Sequence, residues 1–141
     1  MPSSLLFLAS LLALGVLTDP VTAKLARDQL ERELSALGTP NEFLVRAREA
    51  IFGNDGFRSL DELALQLHVS TRTLKRRFAE AGKSFSDLLG EVRKERALLL
   101  LGDHRLNVDA IAAELGYSDV ANFARAFRRW TGETPSEYRN R

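Results

Sequence analysis

Nine residues, Ser70 to Phe78 in the order STRTLKRRF, carry four cations at Arg72, Lys75, Arg76 and Arg77, with apolar side chains at Leu74 and Phe78. A guanidinium makes forked hydrogen bonds to carboxylate, phosphate or the O6/N7 edge of guanine, and an ammonium is a compact point charge for phosphate. On a helix, Leu74 and Phe78 fall on one stripe, leaving the cations spread over the remaining surface with the earliest at its amino-terminal end. A merely solvated basic face normally has acidic partners three or four residues away. Only Glu80 is so placed, four residues after Arg76. The pattern favours a polyanion over bulk solvent as the thing this face meets.

Other chemistries find little support. The chain has no cysteine, which excludes disulfides, thiolate zinc sites and a cysteine nucleophile, and is the usual condition of an intracellular protein. Serine, histidine and aspartate occur without a nucleophile–base pair, a phosphate-cradling glycine loop or metal-ligand spacing. No catalytic residue, metal or cofactor is expected, and an enzyme is the least favoured reading. Gly53-Asn54-Asp55-Gly56 lacks the spaced ligands and following glutamate of a calcium loop and is expected to be a turn. The 141 residues suit one domain with an appendage, and a 45% hydrophobic content is enough to bury a core. Net charge is only +1, with three basic and four acidic side chains in residues 1–40 against seventeen and fifteen in 41–141. A nucleic-acid-binding domain is usually more basic, so the argument rests on where the charges sit.

The elements that position those charges form a repeat. Residues 59–70 (SLDELALQLHVS) align with 107–118 (NVDAIAAELGYS) at a constant offset of 48, with cap, first-turn acid, apolar stripe and turn in step. Ser59 and Glu62 make a capping box, and Asn107 caps the second copy. Each copy reads as a two-turn helix with one apolar face, ending in a tight turn centred on His68 or Gly116. That position calls for positive φ, which glycine adopts freely and histidine tolerates, so His68 is read as a turn residue rather than a ligand. A second helix follows each turn, over 70–81 and 119–131, where Leu74 and Phe78 match Phe123 and Phe127 at an offset of 49. Helix, short turn, helix is the helix-turn-helix unit, occurring at about 59–81 and again at about 107–131. The second helix of such a unit enters the DNA major groove with its amino-terminal residues at the base edges. In the second copy Asn122 can pair with adenine, Arg125 matches Arg76, and Arg128 and Arg129 lie where phosphates would be met.

Between the copies, residues 84–101 read as one long helix, with Phe85, Leu88, Leu89, Val92 and Leu99 on one side and a cap signal at Ser84 and Asp87. A stiff helix of this length can hold two reading heads one turn of the duplex apart, about 34 Å. The leucines 98–101 are expected to be core. Residues 41–53 are expected to form a further helix on Leu44, Val45, Ala47 and Ile51. Thr134-Pro135-Ser136-Glu137 is a capping box with proline at the first helical position, and Tyr138 is expected to pack back with Trp130.

Residues 1–40 form the other part. The apolar run from Leu5 to Leu17 is thirteen residues, short of the roughly 20 of a membrane span. Val21-Thr22-Ala23 resembles a signal-peptide cleavage site, but no Lys or Arg precedes the run. Asp19-Pro20 breaks the chain, and residues 21–37 read as an amphipathic helix on Leu25, Leu30, Leu34 and Leu37 that ends at Gly38-Thr39-Pro40-Asn41, the expected boundary. The rival to DNA binding is a helical interaction module, exported or membrane-associated through this apolar start, whose basic helix binds an acidic protein.

Ile111-Ala112-Ala113-Glu114-Leu115-Gly116-Tyr117, then Phe123-Ala124-Arg125-Ala126-Phe127-Arg128-Arg129-Trp130-Thr131-Gly132, then Thr134-Pro135-Ser136-Glu137-Tyr138-Arg139 resembles the AraC/XylS family of bacterial transcription regulators, over about residues 42–140. The resemblance implies an all-α domain of two helix-turn-helix subdomains joined by the long helix, monomeric contact with double-stranded DNA through both second helices, and promoter regulation in the cytoplasm, usually activation with RNA polymerase as a partner. It assigns base reading to Arg72, Thr73, Lys75 and Arg76 in the first unit and to Ala121, Asn122 and Arg125 in the second. Ser70, Arg77, Arg128 and Arg129 are the expected phosphate contacts. Family members usually carry an amino-terminal domain of well over a hundred residues for effector binding or dimerisation. Residues 1–40 are expected to be a remnant of one, with no effector and no membrane contact, ahead of the DNA-binding domain at 41–141. His68, where a glycine is common in the family, is a lesser departure.

Overall fold

The computed structural model describes residues 19–35 and 37–141, and within the first of these ranges the side chains up to Gln29. The run from Leu5 to Leu17 and the side chains of Leu30 and Leu34 lie outside the described residues. Among the described residues, eight helices and one hairpin follow in order: α1 (Pro20–Ser35), α2 (Pro40–Ala50), β1 (Phe52–Gly53), β2 (Gly56–Phe57), α3 (Leu60–Gln66), α4 (Thr71–Glu80), α5 (Phe85–Leu101), α6 (Val108–Glu114), α7 (Val120–Thr131) and α8 (Pro135–Arg139). No helix among the described residues is long and apolar enough to cross a membrane. The chain divides into two compact units. One comprises the segment ending at Ile51 together with Arg58–Phe85, and the other Phe52–Phe57 together with Ser86–Arg141.

The expected caps start the helices. Ser59 accepts from the Glu62 backbone N–H while the Glu62 carboxylate accepts from Ser59, and Thr134 and Glu137 repeat the arrangement with Pro135 in the first turn. Asn107 caps α6 through the Ala110 N–H. A third box, Thr39 with Glu42, starts α2. Each box satisfies two amide donors that a helix start would otherwise leave bare.

In the first unit α2, α3 and α4 enclose Phe43, Ala47, Ile51, Leu63, Ala64, Leu74 and Phe78. Edge-on ring contacts link Phe43 to Phe78 at 5.0 Å and Phe78 to Phe85 at 6.2 Å. The stripe on α2 differs from expectation: Phe43 is buried and Val45 is 55% exposed. The helix faces inward on positions 43, 47 and 51, a four-residue repeat, because the Phe43 ring completes the aromatic cluster. Leu37, just before α2, is buried as well.

The second unit encloses Ala97, Leu101, Ile111, Ala112, Leu115, Phe123 and Phe127, with Trp130, Tyr117 and Tyr138 packed on it. Tyr138 meets Phe127 at 5.6 Å, and Trp130 meets Phe127 at 6.5 Å. Of the four leucines at 98–101, Leu101 is buried and Leu99 is 73% exposed. Ala97 and Leu101, four apart, take the inner face and turn Leu99 outward. The expected turn at 53–56 is the tip of the hairpin, which pairs Phe52 with Phe57 and Gly53 with Gly56. These short strands were absent from the all-helical reading. Arg93 lies over the rings of Phe57 and Tyr117, and Arg96 lies over Phe52 at 3.7 Å while pairing with Glu114 at 2.9 Å. These cation–π contacts hold the hairpin in its unit.

The repeat extends to the backbone. His68 has φ of 58° and Gly116 of 84°, and the amide after each turn closes back on the helix, Val69 to Ala64 and Tyr117 to Ala112, both at 3.0 Å. His68 is the one non-glycine residue at positive φ among those described. It is exposed, so its side chain adds little to offset the strain. Replacing it with glycine is expected to stabilise the first unit by about 1 kcal/mol, raising its melting midpoint by a few degrees, whereas valine lowers it. Thermal unfolding followed by circular dichroism checks both signs.

Candidate nucleic-acid interface

Helices α4 and α7 are the second helices of the two units. Ser70 caps α4, its hydroxyl accepting from the Thr73 N–H and donating to Thr73 Oγ1, each at 3.0 Å. Leu74 and Phe78 face inward as expected. Arg72, Lys75 and Arg76 are exposed and Thr73 is half-buried. Arg76 is 68% exposed along its side chain, and its Nε lies 3.4 Å from Glu80 Oε1.

One expectation on this helix needs correction. Arg77 is only 8% exposed, with its guanidinium facing the Phe43 ring at 5.6 Å, donating to the Gly38 carbonyl and pairing with Glu80 Oε2 at 2.9 Å. It is enclosed by protein and does not offer itself to a phosphate. Its place, three residues after Leu74, lies beside the buried stripe rather than opposite it.

Helix α7 is capped by Asp119, whose Oδ1 accepts from the Asn122 N–H at 2.7 Å. Phe123, Ala126 and Phe127 form its inner face. Ala121, Arg125, Arg128 and Arg129 are exposed. The Asn122 side chain is engaged on both sides: its Nδ2 donates to Ser118 Oγ at 2.9 Å and Asp119 Oδ2 at 3.2 Å, and its Oδ1 accepts from the Arg125 guanidinium. Asn122 therefore orients Arg125. The three-residue spacing of Asn122 and Arg125 is the signal in the sequence for this contact.

The exposed cations reach the fields of their neighbours. Burial pushes the Tyr117 phenol up from its ordinary range, opposed by the charges of Arg93 and Arg129. The Glu137 carboxyl is held below the usual carboxylate range by the Thr134 backbone N–H, the Thr134 hydroxyl and the charge of Arg128. No cluster of three histidine or carboxylate side chains among the described residues could hold a metal ion.

A helix-turn-helix domain family matches residues 63–141, spanning both second helices. A transcriptional regulator from Chromobacterium violaceum with an AraC-type DNA-binding domain superposes with a TM-score of 0.62 at 29% identity, over 69% of this chain and 88% of that one. This chain belongs to the AraC-type family. The ornithine utilization regulator of Pseudomonas aeruginosa is 38% identical over 124 residues, 87% of this chain and 37% of that protein. The AraC-type chain described here thus spans little more than a third of that relative's length. The DNA-binding domain of AdpA, solved in complex with a target DNA, matches with a TM-score of 0.57 at 26% identity, over 72% of this chain and 89% of its own. These relatives are transcription regulators, and the matched region is the paired helix-turn-helix fold expected from the repeat.

Proposed function

We propose that this AraC-type chain regulates transcription, acting in the cytoplasm by reading two successive major-groove segments of double-stranded DNA through α4 and α7. One observation carries the reading: on both helices, paired by the repeat, the aromatic or aliphatic stripe is buried while the basic side chains Arg72, Lys75 and Arg76 on α4 and Arg125 on α7 are open to solvent. The relative solved with its target DNA adds support from outside the chain. Base reading falls to Arg72, Thr73, Lys75 and Arg76 on α4, and to Arg125 on α7 with Asn122 orienting it and Ala121 against a thymine methyl. Arg128 and Arg129, in the last turns of α7, meet phosphates. Activation, with RNA polymerase as partner, follows the usual habit of the family.

Selection of bound duplexes from a random pool gives the site, and two variants then divide the roles. Arg125→Ala is expected to cost about 1–3 kcal/mol on the selected duplex and to relax preference at one base pair. Arg129→Ala weakens selected and random duplexes alike. Equal losses on both duplexes for both variants would remove the assignment. Failure to enrich any sequence would favour the rival, a basic helix that binds an acidic protein.

A further inference from the structure

Among the described residues, the buried cation of the first unit joins two places far apart in the sequence. Gly38 occupies the turn between α1 and α2 at φ of 76°, where a side chain is strained, and a Cβ there would lie 2.1 Å from Glu42 Oε2 and push that carboxylate out of the capping box. Its carbonyl accepts from the Arg77 guanidinium. Arg77 packs over Phe43 and pairs with Glu80 Oε2 at 2.9 Å, while the other oxygen of that carboxylate faces Arg76 Nε at 3.4 Å. A chain of polar contacts thus runs from the Gly38 turn through Arg77 and Glu80 to Arg76, the most exposed of its members.

The two contacts of Glu80 are unequal. The one to Arg77 is short, 2.9 Å, and made to a guanidinium only 10% exposed, and the one to Arg76 is longer, 3.4 Å, and made to a guanidinium 68% exposed. Exposed pairs of this kind are weak, so Arg76 is free to exchange its carboxylate for a base edge. The shorter charge-assisted bond, from a guanidinium held in place by its surroundings, is the stronger, so Arg77 fixes where Glu80 sits. Without Arg77 the whole carboxylate would be available to Arg76, and a guanidinium held in a fork by a carboxylate cannot fork onto guanine.

We propose that Arg77 is a positioning residue for base recognition: by tying Glu80 back to the Gly38 turn, it keeps that carboxylate from capturing the reading guanidinium of Arg76. The proposal rests on the reading of Arg76 as a base contact given above. It also makes the turn ahead of α2 a point from which base recognition by α4 can be altered.

The test uses the full chain and the duplex selected from the random pool, together with four duplexes differing at the base pair that Arg76→Ala renders indifferent. Arg77→Met fills similar space without charge. It is expected to lower discrimination at that base pair about tenfold while leaving preferences at the Arg125 base pair unchanged. Adding Glu80→Gln removes the competing charge and is expected to restore discrimination without restoring the melting temperature. A purely structural Arg77 would lower the melting temperature and weaken all duplexes alike, and that result overturns the proposal, as does failure of Glu80→Gln to rescue. If Arg77→Met does not fold, Arg77→Lys keeps the charge but loses the fork, and the same base-specific loss and rescue are required of it. If Arg76→Ala itself shows no base-specific loss, the base-reading assignment falls and this proposal with it. A base-specific loss in Arg76→Ala with none in the Arg77 variants overturns the proposal alone.

Discussion

Phe127→Ala is expected to lower the unfolding free energy of the second unit by about 3–5 kcal/mol, an amount comparable to the whole stability of many small domains. The ring is fully buried and lies 5.8 Å from Phe123, 6.5 Å from Trp130 and 5.6 Å from Tyr138, so its loss leaves a cavity walled by large, stiff side chains that cannot close it. Because α7 presents Arg125 on one side and Phe127 on the other, unfolding here removes the surface that carries Arg125 together with its core. Native-state hydrogen exchange checks the extent. Amides of α6 and α7 lose protection, while those of α3 and α4, in the unit whose aromatic cluster is Phe43, Phe78 and Phe85, keep theirs. Arg128→Ala, on the exposed face of the same helix, is the control and is expected to change stability by less than about 0.5 kcal/mol. A loss of under about 1 kcal/mol in Phe127→Ala would mean that the ring is not a structural centre of the unit.

Features set by short-range chemistry were legible in the sequence, and features set by distant partners were not. A capping box places its two members three residues apart, so Ser59 with Glu62 and Thr134 with Glu137 could be read directly. The turn at His68 was legible because its counterpart in the repeat is glycine, and the shared backbone conformation follows from shared position. The bounds of α4, α5 and α7 followed from the same signals to within a residue. Arg77 was misread because a helical stripe has a definite centre and an indefinite edge. Whether the residue beside Leu74 and Phe78 is covered depends on Phe43 and Gly38, more than thirty residues away. The register of α2 failed for the same reason, since only the ring of Phe78 explains why Phe43 and not Val45 turns inward. The hairpin escaped notice because two-residue strands leave no alternation to detect; what holds it is Arg93 and Arg96, cations that a sequence suggests should be solvated.

The largest effect on function is expected from salt. Neutralising about six phosphates gives a slope near −5 in a plot of log affinity against log salt, so raising salt from about 50 to about 200 mM should weaken binding roughly a thousandfold. Net charge does not produce this, because the chain as a whole carries only +1. On the proposed reading the effect comes from exposed cations of the two second helices, the phosphate contacts Arg128 and Arg129 on α7 among them. Arg77 is not among them, since its charge is already matched by Glu80 within the fold. Two consequences separate local contact from general attraction. Arg129→Ala should make the slope shallower by about one, the release of a single counterion, whereas Arg77→Met should leave it unchanged. Titrations by fluorescence anisotropy on the selected duplex measure all three slopes. A wild-type slope shallower than about −2 would mean that few phosphates are touched, and the paired helices would then have to bind something other than the backbone of a duplex.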